Sequence, residues 1–392
     1  MNKSNKKIYL DSAATTKPSE EVLSFLSKAM IDFYGNPDSM HALGLDAEKH
    51  VNLSRNIIAS SINSKPEEII FTSSGTEANN LAVFGAINAL KRKGNKIITT
   101  NSEHPSVYMP MLELEKKGFE IIYLSTINGN IDTAELKKHL DEKVILISIM
   151  LVNNETGSIF NISEIINIIE NSGFRDKLYV HCDAVQGFGK IFIDLNKLKI
   201  DMMSISSHKI HGIKGSGALF LRKNKRIIPR IFGGGQENNL RSSTLNTPGI
   251  FAFGKATEEA FKNFNENQEY INNIYDYTVL KMQEKCPLII FNQQANINNI
   301  SKYILSLKLP NIKSEIMLNY LSARDIYISS GSACSAKNQN SRESKRVLLN
   351  YGLDKNSADF TIRVSFSKYN TFDEVDEFVS VMSDGIEKFA IY

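Results

Sequence analysis

The sequence predicts an α/β protein with a mostly parallel sheet, followed by a smaller α+β region. Two observations carry this expectation. Short apolar β-type runs alternate with longer helical patterns through the first two-thirds of the chain, which is how a parallel sheet with helices on both faces is encoded. After Gly254 the alternation gives way to a long amphipathic stretch and then to mixed strands and helices.

The elements follow in order. Ile69-Ile70-Phe71-Thr72 reads as a strand and about Thr76 to Leu90 as a helix. Lys96–Thr99 is a strand, Val107–Lys117 a helix and Ile121–Leu124 a strand. Val144–Val152 is apolar enough to be buried on both faces of a sheet. Ser163–Asn171 is helical, and Leu178–Cys182, Met202–Ile205 and Gly217–Leu221 are strands. One long helix is expected over roughly Ile250–Lys285, then strands at Ser301–Leu309 and Thr361–Ser365 with helices at Ser314–Ala323 and Phe372–Phe389. The shift in character divides the chain into a large domain over 15–255 and a small one formed by 1–14 with 256–392.

Composition narrows the function. A net charge of +3 on 392 residues gives no electrostatic footprint for nucleic acid. Short basic clusters such as Lys91-Arg92-Lys93 lack aromatic partners and read as solvated turns. The three cysteines, Cys182, Cys286 and Cys334, are too few and too scattered for a disulfide framework or a structural zinc site, so no metal is expected. The polar opening Met1–Lys7 and the absence of a membrane-length apolar run make the cytoplasm the default, with no membrane partner.

Ligands of open α/β sheets bind beyond the carboxyl ends of the strands. Five polar segments fall at such ends: Ser73-Ser74-Gly75-Thr76, Glu103-His104-Pro105, Asn153-Asn154-Glu155, Asp183-Ala184-Val185-Gln186 and Ser206-Ser207-His208-Lys209. The first is a small-residue turn opening a helix, a place for a phosphate or for a simple helix cap. No G-x-x-x-x-G-K-[ST] or G-x-G-x-x-G run is present there, which argues against nucleoside triphosphates and dinucleotides. Asp183 could pair with a protonated ring nitrogen or cap a helix. Lys209 sits where a lysine can form a Schiff base. Cys334 lies in Ser329-Ser330-Gly331-Ser332-Ala333-Cys334-Ser335, a small-residue stretch close to cationic side chains, which suits a reactive thiolate. Cys182, inside a strand, and Cys286, at a helix end, read as structural.

These segments resemble the cysteine desulfurases of the bacterial iron–sulfur-cluster and nitrogen-fixation type, within class V of the aminotransferase fold. The resemblance also rests on Tyr9–Thr16, Gly35–His41, Gly233-Gly234-Gly235-Gln236-Glu237 and Arg241-Ser242-Ser243-Thr244, and the segments keep family order along the whole chain. It implies a fold-type-I pyridoxal-phosphate transferase with a seven-stranded sheet. Pyridoxal 5'-phosphate would be a Schiff base on Lys209, with Asp183 on the ring nitrogen and His104 stacked on the ring. Asn154 and Gln186 would meet the ring oxygen. Gly75, Thr76, Ser206 and His208 would hold the phosphate. Thr244 would reach the site of a partner subunit in a homodimer. Arg363 would clamp the substrate carboxylate, with Asn36 also at the substrate. Lys209, His104 and Cys334 would be the catalytic groups.

The implied reaction converts L-cysteine to L-alanine and leaves a persulfide on Cys334, within a loop over about 329–342. The sulfur would pass to an iron–sulfur scaffold or a tRNA-thiolation enzyme, without direct nucleic-acid contact. The alternatives are a selenocysteine lyase or another class V enzyme, and, from a different class, a non-catalytic sulfur-relay or scaffold subunit. Where the family usually has Arg-Ser-Gly-Thr, this chain has Ser243, which predicts an altered backbone angle before Thr244.

Overall fold

The computed structural model describes residues 7–293, 299–330 and 345–390. In chain order the elements begin with β1 (Ile8–Tyr9), α1 (Glu20–Asp32), α2 (Ala42–Ser61), β2 (Ile69–Thr72), α3 (Gly75–Leu90) and β3 (Lys96–Thr100). Next come α4 (Pro105–Lys116), β4 (Glu120–Leu124), α5 (Thr133–His139), β5 (Val144–Met150), α6 (Ile162–Glu170) and β6 (Tyr179–Asp183). β7 (Met202–Ser206), β8 (Gly217–Leu221), α7 (Thr247–Lys262), α8 (Phe264–Lys285), β9 (Ile290–Phe291) and β10 (Ile304–Lys308) follow. The chain closes with α9 (Ser314–Ser322), β11 (Ile326–Tyr327), β12 (Ser329–Ser330), α10 (Arg346–Tyr351), α11 (Lys355–Asp359), β13 (Thr361–Ser365) and α12 (Phe372–Phe389).

Seven strands form the main sheet in the order β2-β8-β7-β6-β5-β3-β4. Only β8 runs antiparallel to its neighbours, β2 and β7. The alternation of side chains along each strand divides its residues between two apolar layers. Ile147 and Ile149 of β5 enter one core with Ile98 and Val180. Ile145 and Leu146 enter the other with Ile97 and the α3 residues Ala82 and Ala86, side by side because the β3–β5 register shifts at this point. Burial on both faces explains why β5 reads as a continuous apolar run.

A third core joins Ile8 and Leu10, near the chain's start, to residues between Ile271 and Ile386. It packs on an antiparallel sheet of order β12-β13-β10-β9. β1 pairs in parallel with β11, Ile8 opposite Ile326.

One expectation is corrected. The helix over Ile250–Lys285 is two helices, broken at Asn263 (φ −120°, ψ 39°). Asparagine competes with the helix for backbone hydrogen bonds. Phe264 stacks on Phe261 across the break, with ring centroids 5.7 Å apart. Ser243 is not among the residues with positive φ, in agreement with the altered backbone angle expected where serine replaces glycine.

Asp201 fixes the start of β7. Its side chain is fully buried, ion-paired with Arg175 at 2.9 Å and with Lys225 at 3.0 Å. It also accepts the Val180 N–H of the neighbouring strand at 2.8 Å. Asp201→Ala would strand two cations and one strand N–H, and the expected loss is about 3–5 kcal/mol of unfolding free energy. Urea unfolding measures it, and a loss below about 1 kcal/mol would mean that the cluster is not an anchor.

Candidate active site

The parallel strands β7, β6, β5 and β3 end along one edge. Met150 lies opposite Asp183, and Asp183 opposite Ser204, so the segments after these strands meet around a cavity of about 240 Å³. Ten of the residues singled out in the sequence line it. Gly75, Thr76, Ser206 and His208 do so together with His104, Asn154 and Asp183, and also Gln186, Lys209 and Arg363.

At one end, α3 opens with Ser74 as N-cap, its side chain accepting from Glu77 N–H at 3.1 Å. The next N–H groups, of Gly75 and Thr76, lie in the first turn, where backbone donors have no helical partner. A Cβ on Gly75 would come within 2.6 Å of Val185, so only glycine allows this approach. The Ser206 hydroxyl beside it is buried without a hydrogen-bond partner. Helix N–H groups, an orphan hydroxyl and His208 form a donor set that fits a phosphate.

At the other end, Asp183 closes β6, with its Oδ1 accepting the Val185 N–H at 3.0 Å. Asn79 Nδ2 donates to Asp183 Oδ2 at 2.7 Å and to Ser106 Oγ at 2.8 Å. Ser106 Oγ lies 2.7 Å from His104 Nδ1, which also accepts the Ser106 N–H at 3.1 Å. Because Nδ1 accepts, the proton of the neutral ring is on Nε2. Burial pushes the His104 imidazole below its ordinary value, Lys209 and Arg346 act in the same direction, and Asp183 opposes them. Pro105 at the first position of α4 fixes the turn that presents this ring.

Between the two ends, Lys209 Nζ donates to the carbonyls of Ala13 and Ala14 at 2.6 and 2.7 Å. Gln186 Nε2 reaches the same Ala13 carbonyl at 2.7 Å. Amine, carboxylate, imidazole and phosphate-type donors surround one cavity, and this set fits pyridoxal phosphate.

Arg363 on β13 is 2% exposed. It donates to Asn154 O at 2.8 Å and pairs with Asp11 at 2.7 Å. Its Nε is buried without a partner, so one donor of the fork is uncommitted. Burial raises the Asp11 carboxyl above its ordinary value, against the pull of Arg363.

One chain does not bring Asn36 and Thr244 to this cavity; both are exposed. They belong to one surface, where Gln236 Nε2 donates to Asp38 Oδ2 at 2.7 Å and the Ser243 N–H donates to Gln236 Oε1 at 3.1 Å. Met40 (95% exposed) and Phe232 (78% exposed) flank the same segments. Cys334 lies outside the described residues. Burial raises the thiols of Cys182 and Cys286, the latter to about 11, which agrees with structural roles. No group of acidic, histidine or cysteine side chains able to hold a metal occurs among the described residues, and none of their helices is long and apolar enough to cross a membrane.

Residues 8–378 match the aminotransferase class-V family. A cysteine desulfurase IscS of Clostridium botulinum is 35% identical over 379 residues, covering 96% of this chain and 94% of that one. Another, from Dictyoglomus turgidum, is 37% identical over 384 residues, covering 98% and 95%. The chain belongs to the class-V aminotransferases, on their cysteine desulfurase branch.

The solved structures agree. A NifS-like protein superposes with a TM-score of 0.91 at 33% identity, covering 98% of this chain and 100% of that one. A NifS-like protein of Rickettsia africae gives 0.86 at 30%, covering 97% and 100%. This cysteine desulfurase is a pyridoxal-phosphate-dependent enzyme with the expected α/β fold.

Three contributors were not singled out from the sequence. Asn79 stands one helical turn beyond Thr76 on α3, and only the fold reveals its bond to Asp183. Ser106 carries no signal beyond its place after His104. Arg346 donates to the carbonyls of Asn101 and Glu103 and lies over the Tyr108 ring at 3.7 Å.

Glu103, beside His104, supplies a pH test of this desulfurase. Burial pushes its carboxyl up to about 8, although the Thr100 hydroxyl and the Met150 N–H favour the ionised form. Between its ordinary value of 4.5 and about 8, the folded chain holds a proton that the unfolded chain has released. Stability from this group is therefore full below 4.5 and falls as pH rises through 8. Glu103→Gln removes that slope. The melting temperature of the variant minus that of wild type should be larger at about pH 8.5 than at about pH 5; an equal difference would mean that Glu103 is ionised in the fold.

Proposed function

We propose that this enzyme converts L-cysteine to L-alanine and leaves the sulfur as a persulfide on Cys334. The observation that carries the reading is the single cavity shared by Lys209, Asp183, His104, Ser206 and Arg363. When bound, pyridoxal phosphate supplies an electron sink for charge developing at the substrate's α-carbon.

The residues divide the work. The Lys209 amine would hold the cofactor covalently, released by the incoming substrate amine. Asp183, steadied by Asn79, would keep a proton on the ring nitrogen. His104 would cover the ring face, and Asn154 and Gln186 would meet the ring oxygen. The first turn of α3 at Gly75 and Thr76, with Ser206 and His208, would bind the phosphate. Arg363 would orient the substrate carboxylate, its planar fork suiting two-point contact. Lys209, once free of the cofactor, would move the α-proton.

Cys334 would attack the substrate sulfur as a thiolate. An S–S bond forms while the substrate C–S bond breaks. The electron pair stays with the carbon, which takes up a proton and leaves in alanine. The persulfide would then pass to an iron–sulfur scaffold or a tRNA-thiolation enzyme.

The proposal includes a cytoplasmic homodimer. Thr244 and Asn36 would complete the partner's cavity, and the exposed apolar side chains of Met40 and Phe232 beside them support that surface as an interface. It also includes a large domain over 15–255 and a small one over 1–14 and 256–392, supported by the separate core that joins Ile8 and Leu10 to the later part of the chain.

The test is turnover of L-cysteine with a reductant, read as sulfide and alanine, in wild type and Cys334→Ser. Wild type should release the two products in equal amounts. The variant should keep its cofactor absorbance and lose sulfide release by at least about a hundredfold. Undiminished sulfide from the variant would remove Cys334 from the reaction.

A further inference from the structure

Lys209 also lines a second cavity, of about 30 Å³. Lys190, Lys209, His211, Tyr303, Asn267 and Lys368 supply its polar lining. That is above the roughly 10–15 Å³ a water needs, and the lining is polar enough to hold one. Lys190 is buried at 6% exposure and has no carboxylate partner among the described residues. Its Nζ donates to Gln186 Oε1 at 3.1 Å and lies 5.4 Å from the centre of the Tyr303 ring.

The Gln186 amide is thereby oriented. Its Oε1 faces Lys190 and its Nε2 donates to Ala13 O at 2.7 Å, the carbonyl that also takes Lys209 Nζ. A continuous chain of hydrogen bonds therefore runs Lys190–Gln186–Ala13–Lys209. A water in the small cavity would offer a second connection.

The charged side chains that act on Lys190, Lys209 and Arg363, are cationic. Lys209 and His211 face it from the segment after β7, and Lys368 from the segment after β13. Arg363 acts on it from β13. Lys368 has its own carboxylate, Glu259, at 3.8 Å. The flanking α8 residues Asn267 and Gln268 are neutral, and Gln268 Nε2 donates to Lys190 O at 2.7 Å. Burial, with Lys209 and Arg363 adding to it, pushes the Lys190 amine down to about 7. The residue therefore changes charge near neutral pH, and burial pushes the neighbouring His208 and His211 down to about 4, so these histidines are neutral there.

We infer that Lys190 is a positioning residue for Lys209: its charge, acting across the small cavity and through Gln186, sets how readily the Lys209 nitrogen keeps a proton. The inference rests on the proposed role of Lys209 as the residue that holds the cofactor. No group other than a proton is exchanged, and the proton comes from solvent.

The experiment is a pH titration of the bound cofactor's absorbance in the holoenzyme, for wild type, Lys190→Met and Lys190→Gln. A neighbouring positive charge disfavours a proton on the Lys209 nitrogen, so its removal should raise the absorbance midpoint by about one pH unit. Lys190→Gln removes the charge but keeps a donor for Gln186, and should shift the midpoint in the same direction and by a similar amount. A purely structural lysine would leave it unmoved. Midpoints within about 0.2 units of wild type in both variants overturn the inference, as does a shift in Lys190→Met that Lys190→Gln abolishes. Failure of Lys190→Met to fold leaves the decision to Lys190→Gln. A wild type without any cofactor absorbance overturns the reading of Lys209, and this inference with it; unmoved midpoints in a coloured protein overturn the role of Lys190 alone.

Discussion

Parallel pairing of β7, β6, β5 and β3 is the constraint on which the rest of the site depends. Strands that run the same way finish on the same edge, so one register delivers Asp183, Ser206 and the turns after Met150 and Thr100 to a common rim. None of these residues needs the others nearby in sequence. The chain's opening segment then closes the rim from the opposite side, where the carbonyls of Ala13 and Ala14 receive Lys209. Asp11 ties the same segment to Arg363, so the two sheets share one cavity.

In and around that cavity, burial shapes the chemistry as much as residue identity does. Histidines 181 and 208 are pushed down to about 4 and are neutral at physiological pH, serving as hydrogen-bonding groups. Glu103 is pushed up to about 8 and is neutral as well. The charged side chains at the rim are held by specific partners, Asn79 for Asp183, Asp11 with the Asn154 carbonyl for Arg363, and the Ala13 and Ala14 carbonyls for Lys209. A rim of mostly neutral groups around a few anchored charges is suited to one bound anion and one bound carboxylate.

Much of this was legible in the sequence because each main strand carries enough apolar residues to fix its place, β5 above all. The motifs at the strand ends then gave nine residues that share one cavity, with Arg363 of β13 as the tenth. The misses have physical causes. Asn263 breaks a helix through its own backbone, while the amphipathic pattern runs on across it. The two-residue pairing of β1 with β11 depends on a partner distant in sequence, which no local pattern reports. Lys190 resembles any surface lysine until the fold buries it. Asn36 and Thr244 sit on an exposed surface of the single chain, and neither lines the cavity.

The central claim is that Lys209, and no other amine, holds the cofactor. Borohydride reduction of the holoenzyme fixes the cofactor to the amine that carries it, and mass spectrometry of the digested protein locates the added mass. The account predicts one labelled site, at Lys209, with Lys190 unlabelled although it lines the adjoining cavity. A label on Lys190, or a holoenzyme without any labelled lysine, would contradict it.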